Sequence, residues 1–375
     1  MQKIVSNVSS QIYTKVAKPI LFKQKPDIVH DRMLQAGSRL QKISSFRYFM
    51  HGAFAYENSV LEQEVLGIHF RNPVGLSAGF DKNFELPPLL KSIGFGFMEG
   101  GSLTLKECSG NPKPWFYRLP KSQSLVVNAG LANQGVVKIV KRLKSYPKNT
   151  FDDFPLNISV AKTNSQASAT DADAIDDYAG SLEYLKKSGI GKIITINISC
   201  PNAYGGEPFT TPKRLDQLLR KVDKVNLSQP VFVKMPSDLA WPAFDDLLNI
   251  IIKHHVAGVT ISNLAKDRKN IKLSDPLPET VKGNLSGKPV WDLSNNLIRQ
   301  TYKKYGKHLV ISGVGGIFSA EDAYTKIKLG ATLVELVTGL IFQGPPLIGQ
   351  INKGLVALLE HDGYKTISEA IGVDA

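Results

Sequence analysis

The chain has 375 residues, 42% of them hydrophobic and 21% charged, enough to bury one large core of the size single barrel domains commonly reach. Lys and Arg total 46 against 33 Asp and Glu, and the formal charge of +13 favours anionic partners: phosphates, lipid headgroups or nucleic acid. Scattered basic residues without a dense block, zinc finger or RNA-binding signature argue against nucleic acid, and the two cysteines, Cys108 and Cys200, exclude a disulfide framework or a four-cysteine metal site within one chain and fit a reducing compartment.

Met1 to Lys25 mixes five lysines with isolated apolar residues and has neither an unbroken apolar region nor a small-residue cleavage site, so it does not read as a secretory signal. No apolar run reaches the ~18 residues of a membrane-spanning helix. Asp27 to Met50 reads as one or two short helices, with Ile28, Met33, Leu34 and Leu40 as an apolar stripe followed by Phe46, Tyr48, Phe49 and Met50. Two roles suit it: a helix packed on the outside of the main domain, or a membrane-surface helix pair with aromatic anchors. Residues 1–70 are therefore expected to form a small helical extension and residues 71–375 the main domain.

From residue 73 onward short apolar runs alternate with helical patterns. The strand candidates are Asn72 to Ala78, Gly96 to Leu103, Leu156 to Ala161, Lys192 to Ile198, Pro230 to Met235, Ala257 to Ser262, Leu309 to Gly313 and Leu333 to Val337. Eight is the number that closes a parallel barrel. Between them Ala174 to Lys187, Leu215 to Val225, Phe244 to His254, Asn295 to Tyr305 and Ala320 to Lys328 repeat apolar residues at threes and fours, the pattern of outer helices. A doubly wound open sheet uses the same alternation, but no G-x-G-x-x-G turn follows the first strand. Lys82, Ser102, Asn157, Asn197, Lys234, Asn263, Gly316 and Thr338 fall at or just past expected strand ends, and in a barrel that face carries the active site. The expected fold is a TIM (β/α)8 barrel with a small N-terminal helical extension.

Three groups of residues point to chemistry. Gly313-Val314-Gly315-Gly316, between a strand and a helix, suits a phosphate cradle that Thr338-Gly339 would complete, at the usual phosphate site of barrels; the plainer reading is a glycine-rich turn. Asn197-Ile198-Ser199-Cys200-Pro201-Asn202 ends the fourth strand with two amides and a thiol, suited to a planar ligand with imide and carboxylate groups; a lone cysteine is otherwise a small buried hydrophobe. Lys82 and Lys234, each beside an apolar strand core, lose hydration unless they meet an anion or an electron-rich ring.

Together these motifs resemble the dihydroorotate dehydrogenase family. The resemblance runs from about Asp27 to Gly354 and is strongest at Asn72-Pro73-Val74-Gly75-Leu76, Asn197 to Asn202, Leu285-Ser286-Gly287-Lys288-Pro289 and Gly313 to Gly316, with Ile341 to Leu347 extending it. It implies oxidation of dihydroorotate to orotate, in which a base removes the C5 proton while a hydride leaves C6 for the N5 of FMN. Cys200 would be that base. FMN would contact Ala78, Gly79, Lys82, Ser102, Asn157, Asn197, Lys234, Ser262, Gly287, Gly315, Gly316, Thr338 and Gly339, and substrate would be held by Lys82, Asn128, Asn197, Asn202 and Asn263. The N-terminal extension resembles that of the quinone-reducing class 2 members, and His30 and Arg118 match positions lining their quinone tunnel. This implies a peripheral protein on the cytoplasmic face of a membrane, and otherwise a cytoplasmic one, with no nucleic-acid partner.

Three departures stand out. Class 2 members usually have serine where this chain has Cys200, the residue of the soluble class 1 members, which leaves fumarate or another soluble acceptor as the alternative to a quinone. Val127-Asn128-Ala129-Gly130-Leu131 is one residue shorter between Asn and Gly than the family spacing, and Leu264 stands where a threonine is common. A noncatalytic phosphate-ligand or nucleic-acid-binding barrel is the reading from a different class.

Overall fold

The computed structural model describes residues 8–200 and 206–375. Eight strands close a parallel barrel: β1 (Val74–Leu76), β2 (Phe97–Leu103), β3 (Leu156–Val160), β4 (Ile193–Asn197), β5 (Val231–Lys234), β6 (Gly258–Ile261), β7 (Val310–Val314) and β8 (Leu333–Leu336). Each pairs with its neighbours in sequence, and β8 returns to β1 through Val334 opposite Val74 and Leu336 opposite Leu76. Most of their residues are buried, because the barrel interior covers one face and the helical ring the other, and such strands read as near-continuous apolar runs. All eight expected strands therefore appear, in the expected order.

The expected outer helices form as Asp171–Ser188, Pro212–Val225, Trp241–Ile251, Trp291–Tyr305 and Ala320–Lys328. Their starts are set by local chemistry: Thr170 and Ser319 accept the backbone N–H of Asp173 and Asp322 as side-chain caps, and Pro212 occupies a first turn that needs no donor. Gly135–Ser145 and the C-terminal Pro346–Asp362 are further helices, the latter packed against Ala320–Lys328.

The barrel interior is layered. At the bottom Phe97, Ile193, Phe232 and Leu333 meet Val65 and Phe70 from an antiparallel hairpin, Gln63–Val65 with Ile68–Phe70, and the Phe70 and Phe97 rings cross edge to face at 5.4 Å. This hairpin lies before the expected division at residue 70, yet it packs into the barrel. One step up each strand the interior turns polar: Thr195 donates to Asn157 at 2.9 Å, Ser312 to Glu335 at 2.6 Å, and Lys234 faces Glu99 at 3.3 Å.

The N-terminal extension is helical. After a segment reaching Phe22 come α1 (Pro26–Leu40) and α2 (Ser44–Phe54), with Pro26 opening α1. Asp27 accepts the Trp115 N–H at 2.9 Å and Asp31 pairs with Lys113 at 2.8 Å, tying α1 to the barrel mouth. Above that mouth Phe116–Leu119, Ser124–Val127 and Asn284–Leu285 form an antiparallel sheet.

Candidate active site

A cavity of about 660 Å³ opens at the C-terminal end of the barrel and continues between α1, α2 and the segment ending at Phe22. Its size suits a drug-sized ligand. Chain segments that follow separate strands build its inner end: Ala78, Gly79 and Lys82 after β1, Cys200 after β4, Ser262 and Asn263 after β6, Gly315 and Gly316 after β7, and Thr338 and Gly339 after β8. Ser102 on β2, Asn197 at the end of β4, Lys234 at the end of β5 and Gly287, two residues past the strand Asn284–Leu285, complete it.

A chain of amides and hydroxyls fixes the polar groups. Asn263 donates to Asn197 Oδ1 at 3.2 Å and to the Ser199 carbonyl at 2.7 Å; Asn197 in turn donates to Ser102 Oγ at 2.8 Å, and Ser102 bonds Ser159 at 2.7 Å. The Tyr178 hydroxyl holds the Asn197 carbonyl at 2.7 Å. Such a satisfied network holds its members in one orientation. Ser199 is buried and donates to the Lys234 carbonyl at 2.8 Å, whereas the half-buried Cys200 is on the cavity wall. Of these two adjacent residues, only Cys200 lines the cavity. Cys108, by contrast, is an interior residue whose thiol points at the Gly130 carbonyl.

Lys82 donates to the Gly79 carbonyl at 2.6 Å, with its ammonium 5.2 Å from the Phe116 ring, and burial lowers it to about 8 against the opposing pull of Asp81. The outer part of the cavity is apolar. His30 stands edge-on to Phe80 and Phe116 at 5.5 and 5.2 Å, and burial, reinforced by the Lys82 charge, depresses its imidazole to about 3, so it is neutral at physiological pH. Arg118 donates to the carbonyls of Leu21, Phe22 and Gln24 and lies over the Phe22 ring at 4.5 Å, which anchors the N-terminal segment. Tyr13 donates to the Ile341 carbonyl at 2.7 Å, and burial pushes its hydroxyl up to about 12.

The residues fit a planar heterocycle that carries a phosphate. Gly315 and Gly316 have φ of +113° and +77°, and a Cβ on either would come within 3.0 Å of Val290 or Trp291, so the loop requires glycine. Among the described residues their N–H groups donate to no backbone acceptor, and such unpaired donors receive phosphate oxygens. Lys234 and the amide chain supply donors and acceptors for a polar ring.

Of the residues singled out in the sequence, Asn128 and Asn157 are not on the cavity wall. Asn128 accepts from Asn111 at 3.0 Å, and Ala129 to Ala132 line the wall beside it, the place where the sequence spacing is one residue short. Asn157 lies one layer deeper, bound to Thr195. Asn202 lies outside the described residues. Sequence reasoning missed Ser77, Ser286, Glu335 and Tyr13 on the wall, and with them the mouth sheet, although Phe116 to Val127 has the hairpin signature of two apolar runs around Pro120-Lys121-Ser122.

A family model described as Dihydroorotate dehydrogenase matches residues 60–359. "Dihydroorotate dehydrogenase (quinone)" of Trichormus variabilis is 35% identical over 97% of this chain and 99% of its own length. The protein of the same name from Haloarcula marismortui is 34% identical over 96% and 98%, and the mitochondrial one of Arabidopsis thaliana 36% identical over 84% and 73%. Among solved structures, DHODH of Eimeria tenella in complex with ferulenol superposes with a TM-score of 0.81 at 25% identity, covering 93% of this chain and 95% of that one.

Proposed function

Given that this chain belongs to the dihydroorotate dehydrogenase family, we infer that it oxidises dihydroorotate to orotate in pyrimidine biosynthesis and passes the electrons to a quinone. It is a flavin-dependent oxidoreductase. FMN is the flavin this reading assigns, supported by the glycine loop at Gly315 and Gly316 with Thr338 and Gly339 beside it. Bound there, the flavin supplies the hydride acceptor for substrate C6 and the store of two electrons that the quinone collects.

The chain's own residues do the rest. Cys200 takes the C5 proton; a thiol has a reference pKa of about 8.5, so a modest environmental depression makes it a usable base at neutral pH. Lys82, Asn197 and Asn263 hold the substrate's carboxylate and ring amides, with Asn202 as a fourth contact. Ala78, Gly79, Ser102, Lys234, Ser262 and Gly287 surround the flavin. His30, neutral and framed by aromatic rings, and Arg118 line the quinone's approach.

One observation carries this reading: a single cavity joins the amide and thiol end at the barrel mouth to an apolar passage between α1 and α2. A steady-state assay with dihydroorotate tests it by offering a short-chain quinone and fumarate in turn. Turnover with the quinone and none with fumarate is expected; the reverse assigns the electrons to a soluble acceptor, the alternative that Cys200 raises.

Peripheral membrane attachment through the extension is the second part of the proposal. Val8, Ile12, Val16 and Ile20 share a spacing that puts them on one side of the first helical segment, and they are exposed together with Ile28, Ile43, Tyr48 and Phe49. Lys15, Lys18, Lys23 and Lys25 flank them. An exposed apolar band beside basic residues suits the interface of an anionic bilayer. Among the described residues no helix is long and apolar enough to cross a membrane.

A further inference from the structure

Barrel interiors are usually filled by branched aliphatic side chains. This one carries three ionisable groups in its middle layer, Glu99 at 0%, Glu335 at 0% and Lys234 at 4% exposure. Two of them, Lys234 and Glu335, are on the floor of the cavity. The Lys234 ammonium lies 3.3 Å from Glu99 Oε1 and 3.3 Å from Ser77 Oγ, and Glu335 Oε1 accepts from Ser312 at 2.6 Å. The other two oxygens, Glu99 Oε2 and Glu335 Oε2, have no hydrogen-bond partner, although the two carboxyl groups are within hydrogen-bonding reach of each other.

Two carboxylates and one ammonium leave an uncompensated negative charge among buried side chains. An unbalanced buried charge of this kind is strongly destabilising. One added proton removes both difficulties: it cancels the surplus charge and turns a pair of facing acceptors into a donor and an acceptor. Burial and then the facing Glu99 charge both push the Glu335 carboxyl well above its ordinary range, with Lys234 opposing. Among the described residues, Glu99 and Lys234 are the charged groups that bear on Glu335. Glu99 instead has the ammonium as its neighbour, so the proton belongs on Glu335.

We propose that Glu335 is a protonated carboxylic acid at neutral pH that donates to the Glu99 carboxylate, leaving one negative charge to balance Lys234 on the cavity floor. Glu335 is then a positioning residue. Through Glu99 it fixes the direction of the Lys234 ammonium and keeps the cavity floor electrically neutral, and for a flavin held in this cavity Lys234 would then act as a cation already paired with an anion, which would set the flavin's affinity for electrons. The role rests on the flavin reading above.

The test is infrared spectroscopy of the holoenzyme, recorded well above the pH of about 6 to which burial raises Asp81, the other carboxyl raised to near neutrality. A carbonyl band of a protonated carboxylic acid, shifting in D2O and absent from Glu335→Gln, is expected. The same variant should leave the flavin midpoint potential and its pH dependence unchanged, because Gln is also neutral and also donates. The double variant Glu99→Gln with Glu335→Gln, which strips the anion from Lys234, should raise the potential. A yellow wild-type protein without the band, a band that survives in Glu335→Gln, or a potential raised by Glu335→Gln alone overturns the acid pair. The wild-type spectrum decides the matter even where a variant fails to fold. A colourless protein overturns the flavin reading and with it the role of the pair, while the band in its spectrum still decides whether the acid pair exists.

Discussion

Cys200 stands beside a serine that cannot take its place. Ser199 is sealed in the interior with its hydroxyl committed to the Lys234 carbonyl, while Cys200 reaches the cavity wall. Cys200→Ala should slow flavin reduction by dihydroorotate by ~10²–10⁴-fold, the range of a lost general base, while flavin absorbance shows the cofactor still bound; an unchanged rate removes the thiol from the mechanism. His30 offers a test that needs no substrate. Its imidazole is lowered from 6.5 to about 3 in the fold, so between those pH values the unfolded chain binds more protons than the native one. The stability is present above pH 6.5 and is lost as pH falls toward about 3. His30→Phe should therefore flatten the acid-side decline of the urea midpoint, by an amount on the order of a few kcal/mol. A decline as steep as that of the wild type would show that His30 is charged in the fold. Both residues stood out in the sequence, Cys200 through the run Asn197 to Asn202 and His30 through the family resemblance, and the structure puts both on the cavity wall. The sequence could not tell that Asn128 bonds Asn111 and that Asn157 bonds Thr195 one layer below the cavity wall, since strand register and loop length decide which way an amide points.

At the scale of elements, the eight barrel strands could be read because both faces of each are buried, which writes an apolar run bounded by polar residues. The bottom hairpin could not be recognised as a plug, because its role depends on Phe70 meeting Phe97 across the barrel axis. Phe70→Ala should lower stability by ~3–5 kcal/mol, the cost of truncating a buried aromatic ring, read as a fall in the urea midpoint. A change under about 1 kcal/mol would mean the bottom layer closes without it. The extension makes the opposite kind of prediction. Tyr48 and Phe49 are 82% and 63% exposed and do not line the cavity. Replacing Ile12 and Phe49 with Glu should abolish co-flotation with anionic lipid vesicles and leave dihydroorotate-dependent dye reduction intact. Flotation equal to that of the wild type would place the membrane contact elsewhere. The sequence pattern offered outer packing or membrane contact for these helices, and the structure gives each helix an inner and an outer side: Asp27 and Gly37 are buried, while Ile28, Leu40 and Phe49 are exposed.

For the whole molecule, position on the barrel organises the chemistry. The bottom is an aromatic plug, the middle layer holds the Glu99, Glu335 and Lys234 group, the mouth presents the amide chain and Cys200, and the extension adds an apolar entrance above them. Sequence could give this order along the chain; it could not give the closeness of Glu99 to Glu335, which come together only when β8 closes on β1 and brings them across the same interior. The most direct test of the account is anaerobic stopped-flow mixing of the purified protein with dihydroorotate, followed by a quinone and, separately, by fumarate. The flavin absorbance should bleach on the first mixing, return with the quinone and stay bleached with fumarate. A flavin-bound protein that dihydroorotate cannot bleach would contradict the central claim.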